Sequence, residues 1–412
     1  TCVYLERILM TQGVSVGTTI SPHVTDFTER FRICGRNADS DVLAKLRREI
    51  EPAVKDIPLT YFEWCVILAA CLFRQNSLDF GIFEIGLGGR YDAANVLDPE
   101  VSLITDIALD HTQYLGSTVS EIAGEKARIA RRGRPLITTA AGAALETVNE
   151  HASAVGAVLH VVDKPCGYRT SMKGSRQALN AALALRTAHV LGFRPSGAQI
   201  SYALSTAFLP GRIEEIGGRV VLDVAHNPSA MGVLLEYLEN SGFHGVGVLG
   251  VLADKDYISM TDMLKSICTR VYIAPVQSER SWGPSEMERC LDGGRVVQRD
   301  SISRAFDEAL ATGEKVVVTG SFYTVGAVSY THLRAHETVL DLVCRLLPEK
   351  KKQVNTTYLP PTHVCHFPLP LTYYTAPFPL ILQPPHSSPF LPVTADSHHH
   401  LLLPSTSTTS LP

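Results

Sequence analysis

The stretch Phe80-Gly81-Ile82-Phe83-Glu84-Ile85-Gly86-Leu87-Gly88-Gly89-Arg90-Tyr91-Asp92-Ala93-Ala94-Asn95 decides the fold class. Its opening run, Phe80 to Ile85, is short, apolar and closed by turn residues, the pattern of a buried strand. Glu84 stands at the carboxyl end of that run, just before a glycine-rich turn. The same grammar repeats outward from it. Strands are predicted at Val101 to Thr105, Pro135 to Thr138, Val220 to Val224, Val246 to Leu252, Val271 to Ala274 and Lys315 to Thr319. Helices fit between them. One is predicted over Thr118 to Arg132, opened by the capping box Thr118 and Glu121 and stopped at Gly133; another covers Ser229 to Asn240, after Pro228 and before Gly242. This alternation predicts an α/β protein with parallel strands. The later strands read as a separate doubly wound unit, and a boundary is placed near residue 213, after the turn Pro210-Gly211-Arg212.

Composition excludes several classes. The 412 residues carry 37 Lys and Arg against 41 Asp and Glu, a net charge of -4, so there is no cationic excess to neutralise phosphates and no nucleic-acid partner is expected. The longest apolar stretch, Phe62 to Phe73, falls short of the ~20 residues a bilayer crossing needs. No charged-then-apolar signal segment opens the chain, so no membrane association and a cytoplasmic location are expected. The nine cysteines are scattered and never spaced CxxC, which reads as reduced thiols rather than a zinc site or a disulfide framework.

The averages hide a break. All 30 glycines lie at or before Gly326, while 12 of the 24 prolines fall in residues 354 to 412. At the break, Val328-Ser329-Tyr330-Thr331-His332-Leu333-Arg334-Ala335-His336-Glu337-Thr338 resembles the conceptual translation of a transposon-based sequencing-library adapter. Asp341 to Leu347, then Glu349 and three lysines, resembles its continuation into poly-A, with Val339 and Leu340 at the index position. Residues 328–412 are therefore expected to be an artefactual, disordered tail, and His398 to His400 receive no metal reading.

Chemistry-bearing residues concentrate before the break. They lie in Thr19-Ile20-Ser21-Pro22-His23, Thr60-Tyr61-Phe62-Glu63, Leu109-Asp110-His111-Thr112, Glu125-Lys126-Ala127, Asn180, Pro210-Gly211-Arg212 and Asp223-Val224-Ala225-His226-Asn227-Pro228. Open α/β sheets bind ligands beyond the carboxyl ends of their strands, where Glu84 stands and can bind a hard cation. Such a turn can equally use the acid as a cap or ion-pair partner. Ser21 and His111, also predicted at strand ends, favour the metal. Lys126, predicted in the middle of a helix, reads on its own as a solvated lysine. Gly86 to Gly89 is a weak signal for phosphate binding or simply for tight geometry. Tyr61 and Phe62 fit the core of a following helix, and Asp223 fits a cap for the helix opening at Ser229. His226 to Pro228, before a helix N-terminus, suit contact with an anion. Lys255 and Asp256 follow a strand, and their role is left open.

Taken in order from about Gly13 to Val325, these motifs resemble the folylpolyglutamate synthase and dihydrofolate synthase family of the Mur ligase superfamily. The resemblance implies a Mur-ligase-like, P-loop-type ATPase and pterin-binding domain over 1–212, then a smaller Rossmann-like glutamate-ligase domain over 213–327. It implies ATP-dependent amide ligation. A dihydropteroate or folate carboxylate attacks the γ-phosphate to form an acyl phosphate, and the amine of L-glutamate displaces phosphate. Ser21 and Glu84 are then Mg²⁺ ligands, and His111 binds a second Mg²⁺ supported by Lys126 as a carbamylated lysine. That modification needs a neutral amine, hence a depressed pKa. Lys126, His111 and Arg212 are the implied catalytic residues. Asn180, Arg212, Asp223 and His226 are the implied ATP contacts, and Thr60, Tyr61, Phe62, Glu63, Tyr91, Asp92 and Ala93 line the pterin. A monomer is expected. The SPH, TYFE and GGRYDAAN segments favour folate over the rival reading, a Mur-type ligase of a cell-wall peptide precursor.

Three departures stand out. No GxxxxGK[ST] run occurs, and the chain reads as N-terminally truncated, opening in the helix that follows such a loop. Arg176 replaces the family's usual His before Gln177. Val162 to Gly174 is short by a hairpin or two. The fragment itself is therefore expected to be inactive, and a non-catalytic nucleotide- or folate-binding protein is the reading from a different class.

Overall fold

The strand Phe80–Phe83 runs parallel to Val16–Thr19, with Val16 opposite Phe80 and Thr19 opposite Phe83. Antiparallel Phe31–Ile33 and then Arg36–Asn37 complete this four-stranded sheet. It belongs to a computed structural model that describes residues 1–329. A second sheet is wholly parallel, in the order Ser102–Ile104, Pro135–Thr138, Val158–Val161. The third has six strands in the order Val296–Gln298, Cys268–Ile273, Gly245–Leu249, Lys315–Thr319, Val220–Leu222, Glu214–Ile216, of which only Glu214–Ile216 at the edge pairs antiparallel.

The third sheet is doubly wound, as its pattern of strands predicts. Met231, Leu234 and Leu238 of helix Pro228–Asn240, with Met260 and Leu264 of Tyr257–Ile267, cover one face; Ile302, Phe306 and Ala309 of Ile302–Ala311, with Val325 and Val328 of Phe322–Val328, cover the other. A fully buried side chain of this size contributes about 1.5–3 kcal/mol, so both layers are held by apolar burial. Neighbouring strands Gly245–Leu249 and Lys315–Thr319 send their following helices to opposite faces. That makes their carboxyl ends a topological switch point, where open α/β sheets form their ligand crevice. The two strands approach closely there: a β-carbon on Gly320 would lie 2.5 Å from the Gly250 carbonyl oxygen.

Predicted and observed elements differ mainly at their ends. Pro135–Thr138 and Lys315–Thr319 match residue for residue, while the strand read as Phe80 to Ile85 stops at Phe83. The helix read as Thr118 to Arg132 is Val119–Ala127, so Lys126 sits in its last turn rather than its middle. The chain leaves the helix where Arg131 turns back to donate to the carbonyls of Asn95 and Leu97. Val16–Thr19, Phe31–Ile33, Val158–Val161 and the short edge strands escaped the sequence pattern. Among the described residues, no helix is long and apolar enough to cross a membrane. The expectation for the tail falls on residues 330–412, outside the described residues. Val328 ends the helix Phe322–Val328 and is buried, with Ser329 as its C-cap.

Candidate active site

Ser21 and Glu84 follow the adjacent strands Val16–Thr19 and Phe80–Phe83, and parallel pairing brings them together. The Ser21 amide, not its hydroxyl, donates to Glu84 Oε2 at 2.6 Å. Burial pushes the Glu84 carboxyl up, against the Ser21 hydrogen bond and the positive charges of Arg212 and Arg30. Both residues line a cavity of about 170 Å³ together with Arg212 and Phe322. The Arg212 guanidinium lies over the Phe322 ring, 5.4 Å from its centre, a cation–π contact that fixes the charge near the carboxylate.

Behind Arg212, the Asp223 carboxylate is buried and fully engaged. Its Oδ2 accepts from the Ile213 amide at 2.9 Å and its Oδ1 from the Ala225 amide at 2.8 Å. Burial still raises its pKa, because Arg212 and the two amides do not offset desolvation. Asp223 thus shapes the turn that carries Arg212; the helix Pro228–Asn240 is capped instead by Asn227. Asn180 lies elsewhere, in the helix Ser175–Val190, where its Oδ1 accepts from the Thr1 hydroxyl at 3.2 Å. One turn earlier, Arg176 pairs with Asp106 at 2.8 Å and lines a cleft of about 500 Å³ that also touches Leu179, Ser229, Gly232 and Glu236.

His111, Lys126 and His226 gather around Asp110. Lys255 Nζ is 2.7 Å from Asp110 Oδ1, Asn227 Nδ2 donates to Oδ2 at 2.9 Å, and His226 Nε2 lies 3.4 Å from the same oxygen. Burial works to raise the Asp110 pKa, but the bonds from His226 and Lys255 prevail and hold it well below the usual carboxylate range. His111 Nε2 is 3.9 Å from Asp110. Burial lowers the Lys126 pKa, partly countered by the charges of Asp110 and Asp92, which favours the neutral amine. Among the described residues, no three His, Cys, Asp or Glu side chains converge as a metal cluster. Of the four residues read as metal ligands, Ser21 and Glu84 are joined by a hydrogen bond, while His111 and Lys126 each feel the charge of Asp110.

The residues read as lining a pterin are split between structural and open positions. Thr60 and Glu63 form a reciprocal capping box that starts the helix Tyr61–Gln75. Asp92 Oδ2 accepts from the amides of Gly86 and Leu87, and its Oδ1 accepts from Ala94, so this side chain braces the loop. Tyr91 is 84% exposed, whereas neighbouring Ala93 is half-buried in the turn that Asp92 caps. Phe62 packs against the glycine turn: a β-carbon on Gly86 would meet its ring at 2.7 Å. One on Gly89 would lie 2.7 Å from the Glu125 carbonyl oxygen and 3.0 Å from that of Lys126. The glycines therefore let the loop press against both Phe62 and the helix turn bearing Lys126. Tyr61 lies under the Arg30 guanidinium at 5.2 Å.

Two residues to which the sequence assigns no role organise this region, Asp110 as its hub and Arg131 as the clamp on the loop after Asp92. Asp110 was visible as the neighbour of His111. Nothing in the spacing marked Arg131, one of four arginines between 128 and 134.

Residues 211–322 match the family description "Mur ligase, glutamate ligase domain". Over 352 residues the chain is 36% identical to the dihydrofolate synthase/folylpolyglutamate synthase of Escherichia coli (strain K12), covering 80% of this chain and 82% of that protein. The chain belongs to the dihydrofolate synthase/folylpolyglutamate synthase family. It is 30% identical to the folylpolyglutamate synthase of Lacticaseibacillus casei, covering 80% of this chain and 86% of that one. The structure of E. coli FolC in complex with DHPP and ADP superposes with a TM-score of 0.73 at 34% identity, over 83% of this chain and 85% of the other. The Yersinia pestis bifunctional enzyme complexed with AMPPNP and Mn superposes with a TM-score of 0.74 at 32% identity, over 80% and 85%. By family the protein is an ATP-dependent ligase with the Mur-ligase-like α/β architecture.

Proposed function

We propose that this active site joins L-glutamate to the carboxylate of dihydropteroate or folate at the expense of ATP. The observation that carries the reading is the shared cavity in which Ser21 and Glu84, from one sheet, face Arg212 and Phe322, from the sequence that forms the other. Two anions must approach each other in this reaction, and the site supplies opposing charge in a partly dry setting. Relatives support the substrates: an enzyme of this family has been solved with Mn, AMPPNP and L-glutamate bound, and E. coli FolC with DHPP and ADP.

Arg212 is placed to hold the transferring phosphate by its fixed fork of donors. Asp223 keeps the Arg212 turn in place through the Ile213 and Ala225 amides, and His226 stands before the N-terminus of the helix Pro228–Asn240, 3.4 Å from Asp110 Oδ2. Asn180 and the 500 Å³ cleft one turn away would take the nucleoside part. Glu84 suits a divalent cation because its half-buried carboxylate lines the cavity and is bonded by one amide, with Ser21 beside it. When bound, Mg²⁺ would supply charge neutralisation at the phosphate oxygens, as hard oxygen donors favour. His111 and Lys126 would hold the second ion. Lys126 would do so as a carbamate, formed when its neutral amine attacks CO₂ and releases a proton. The loop Gly86 to Asn95 and the Thr60 to Glu63 turn would flank the pterin, and we read the unit as 1–212 followed by 213–327, acting as a monomer.

The sequence contains no GxxxxGK[ST] run, and that observation favours a second reading for the chain alone, namely binding without turnover. The test has two arms. The chain as it stands should bind Mg·ADP and dihydropteroate in calorimetry yet form no product; the same chain extended ahead of Thr1 by a glycine-rich phosphate loop should form glutamylated product. Ligation of glutamate to a cell-wall peptide precursor in place of a pteroate would establish the rival Mur-type ligase.

A further inference from the structure

We propose that Lys255 is a positioning residue: by pairing with Asp110 it reaches from the six-stranded sheet to the loop before helix Thr112–Leu115 and holds the backbone of His111. His111 has a φ of 50° and a ψ of 38°, in the left-handed region that a β-carbon disfavours. It begins the four-residue helix Thr112–Leu115 with no side-chain cap. What holds it is the neighbouring carboxylate: Asp110 Oδ1 accepts from the His111 amide at 2.8 Å.

That same oxygen is the one Lys255 binds, at 2.7 Å. The other oxygen accepts from Asn227, which also caps its own helix by accepting from the Ala230 amide at 2.8 Å. The rotation of the Asp110 carboxylate is thus fixed by groups on the switch-point side of the six-stranded sheet. Lys255 supplies the charged contact, and its side chain is only 8% exposed, so water and salt screen it weakly. Without it, the half-buried carboxylate loses its lysine partner and is drawn toward solvent, and the His111 amide loses its acceptor. The importance of this for catalysis rests on the role proposed above for His111. The coupling between the sheets does not, and it needs no ligand to be measured.

Hydrogen–deuterium exchange on the whole chain tests it. The Tyr114 and Leu115 amides both bond to the His111 carbonyl, at 2.9 and 3.0 Å, and report on its backbone. Lys255→Met should speed their exchange roughly tenfold or more, with the helix Tyr61–Gln75 unchanged, and Lys255→Arg should restore the slow rate. Acceleration confined to residues around 255, or none at 114 and 115, overturns the proposal, as does an Arg variant that behaves like Met. Should Lys255→Met fail to fold, Asp110→Asn, which leaves the six-stranded sheet untouched, must give the same acceleration; unchanged exchange there is equally fatal.

Discussion

The Ser21 amide donates to Glu84 Oε2 at 2.6 Å, joining the loops that follow two adjacent parallel strands. The bond leaves the Glu84 carboxylate half-buried with its pKa raised by desolvation, a costly arrangement for a protein without a cation to place there. Because the folded pKa lies above the unfolded one, the folded state gives up stability as pH rises through that window, and the deficit persists above it. Glu84→Gln keeps an oxygen for the Ser21 amide and drops the charge. In thermal unfolding at neutral pH, without ligands, the variant should melt no lower than the parent, with the gap closing at acid pH where Glu84 takes up a proton. In calorimetry it should lose Mg²⁺-dependent nucleotide binding.

Asp223 makes a prediction of opposite sign. Both carboxylate oxygens accept backbone amides, one of them from Ile213, whose φ of 49° lies in the left-handed region. Asp223→Ala strands two buried N–H groups, at about 1–3 kcal/mol each. Chemical denaturation should register a loss of at least about 2 kcal/mol, together with weaker nucleotide binding as the Arg212 turn loosens. Asp223→Asn, with one acceptor oxygen, should fall between.

These two acids mark how far the sequence could be read. Strand ends placed Glu84 and Asp223 at the ligand-binding edge of their sheets, and the doubly wound third sheet was legible because its buried strands are long apolar runs. The side-chain partners were not legible. A cap for the helix at Ser229 fitted Asp223 as well as a ligand contact did, and only the folded turn shows it accepting from Ile213, ten residues upstream. Thr60 and Glu63 carry the capping-box pattern, yet the same residues read as a pterin contact. The hub at Asp110 depends on Lys255, Asn227 and His226 arriving from another sheet, a contact no local pattern encodes.

Asp110 sets an acid limit. Burial alone would raise its pKa, but the contacts from His226 and Lys255 carry it far below the usual range. Its contribution is therefore complete above the ordinary carboxylate pKa and drains away as pH falls below it. Melting temperatures followed from about pH 5 to about pH 2 should fall more steeply for the parent than for Asp110→Asn. At neutral pH the variant should be less stable by about 1–3 kcal/mol.

The carbamate proposed at Lys126 makes a further prediction. Burial lowers its pKa, more than the charges of Asp110 and Asp92 restore it, so the neutral amine is present at lower pH than for a solvated lysine. Incubation with ¹³C-bicarbonate should yield a carbamate carbon resonance whose intensity grows with pH, and Lys126→Ala should abolish it. In the chain carrying a phosphate loop, Lys126→Ala should suppress ligation and a small carboxylate additive should restore part of it.

On the proposed function, Ser21, Glu84, Arg212 and the Asp110 cluster serve one ligation. The most direct test is a reaction of the phosphate-loop-extended chain with ATP, Mg²⁺, dihydropteroate and L-glutamate, followed by mass spectrometry of the pterin and by phosphate release. The expected result is a pterin heavier by one glutamyl unit, one phosphate released per product, and no release when any component is left out. Phosphate release that ignores pteroate or glutamate, or a pterin of unchanged mass from a folded, nucleotide-binding protein, would rule out this ligation.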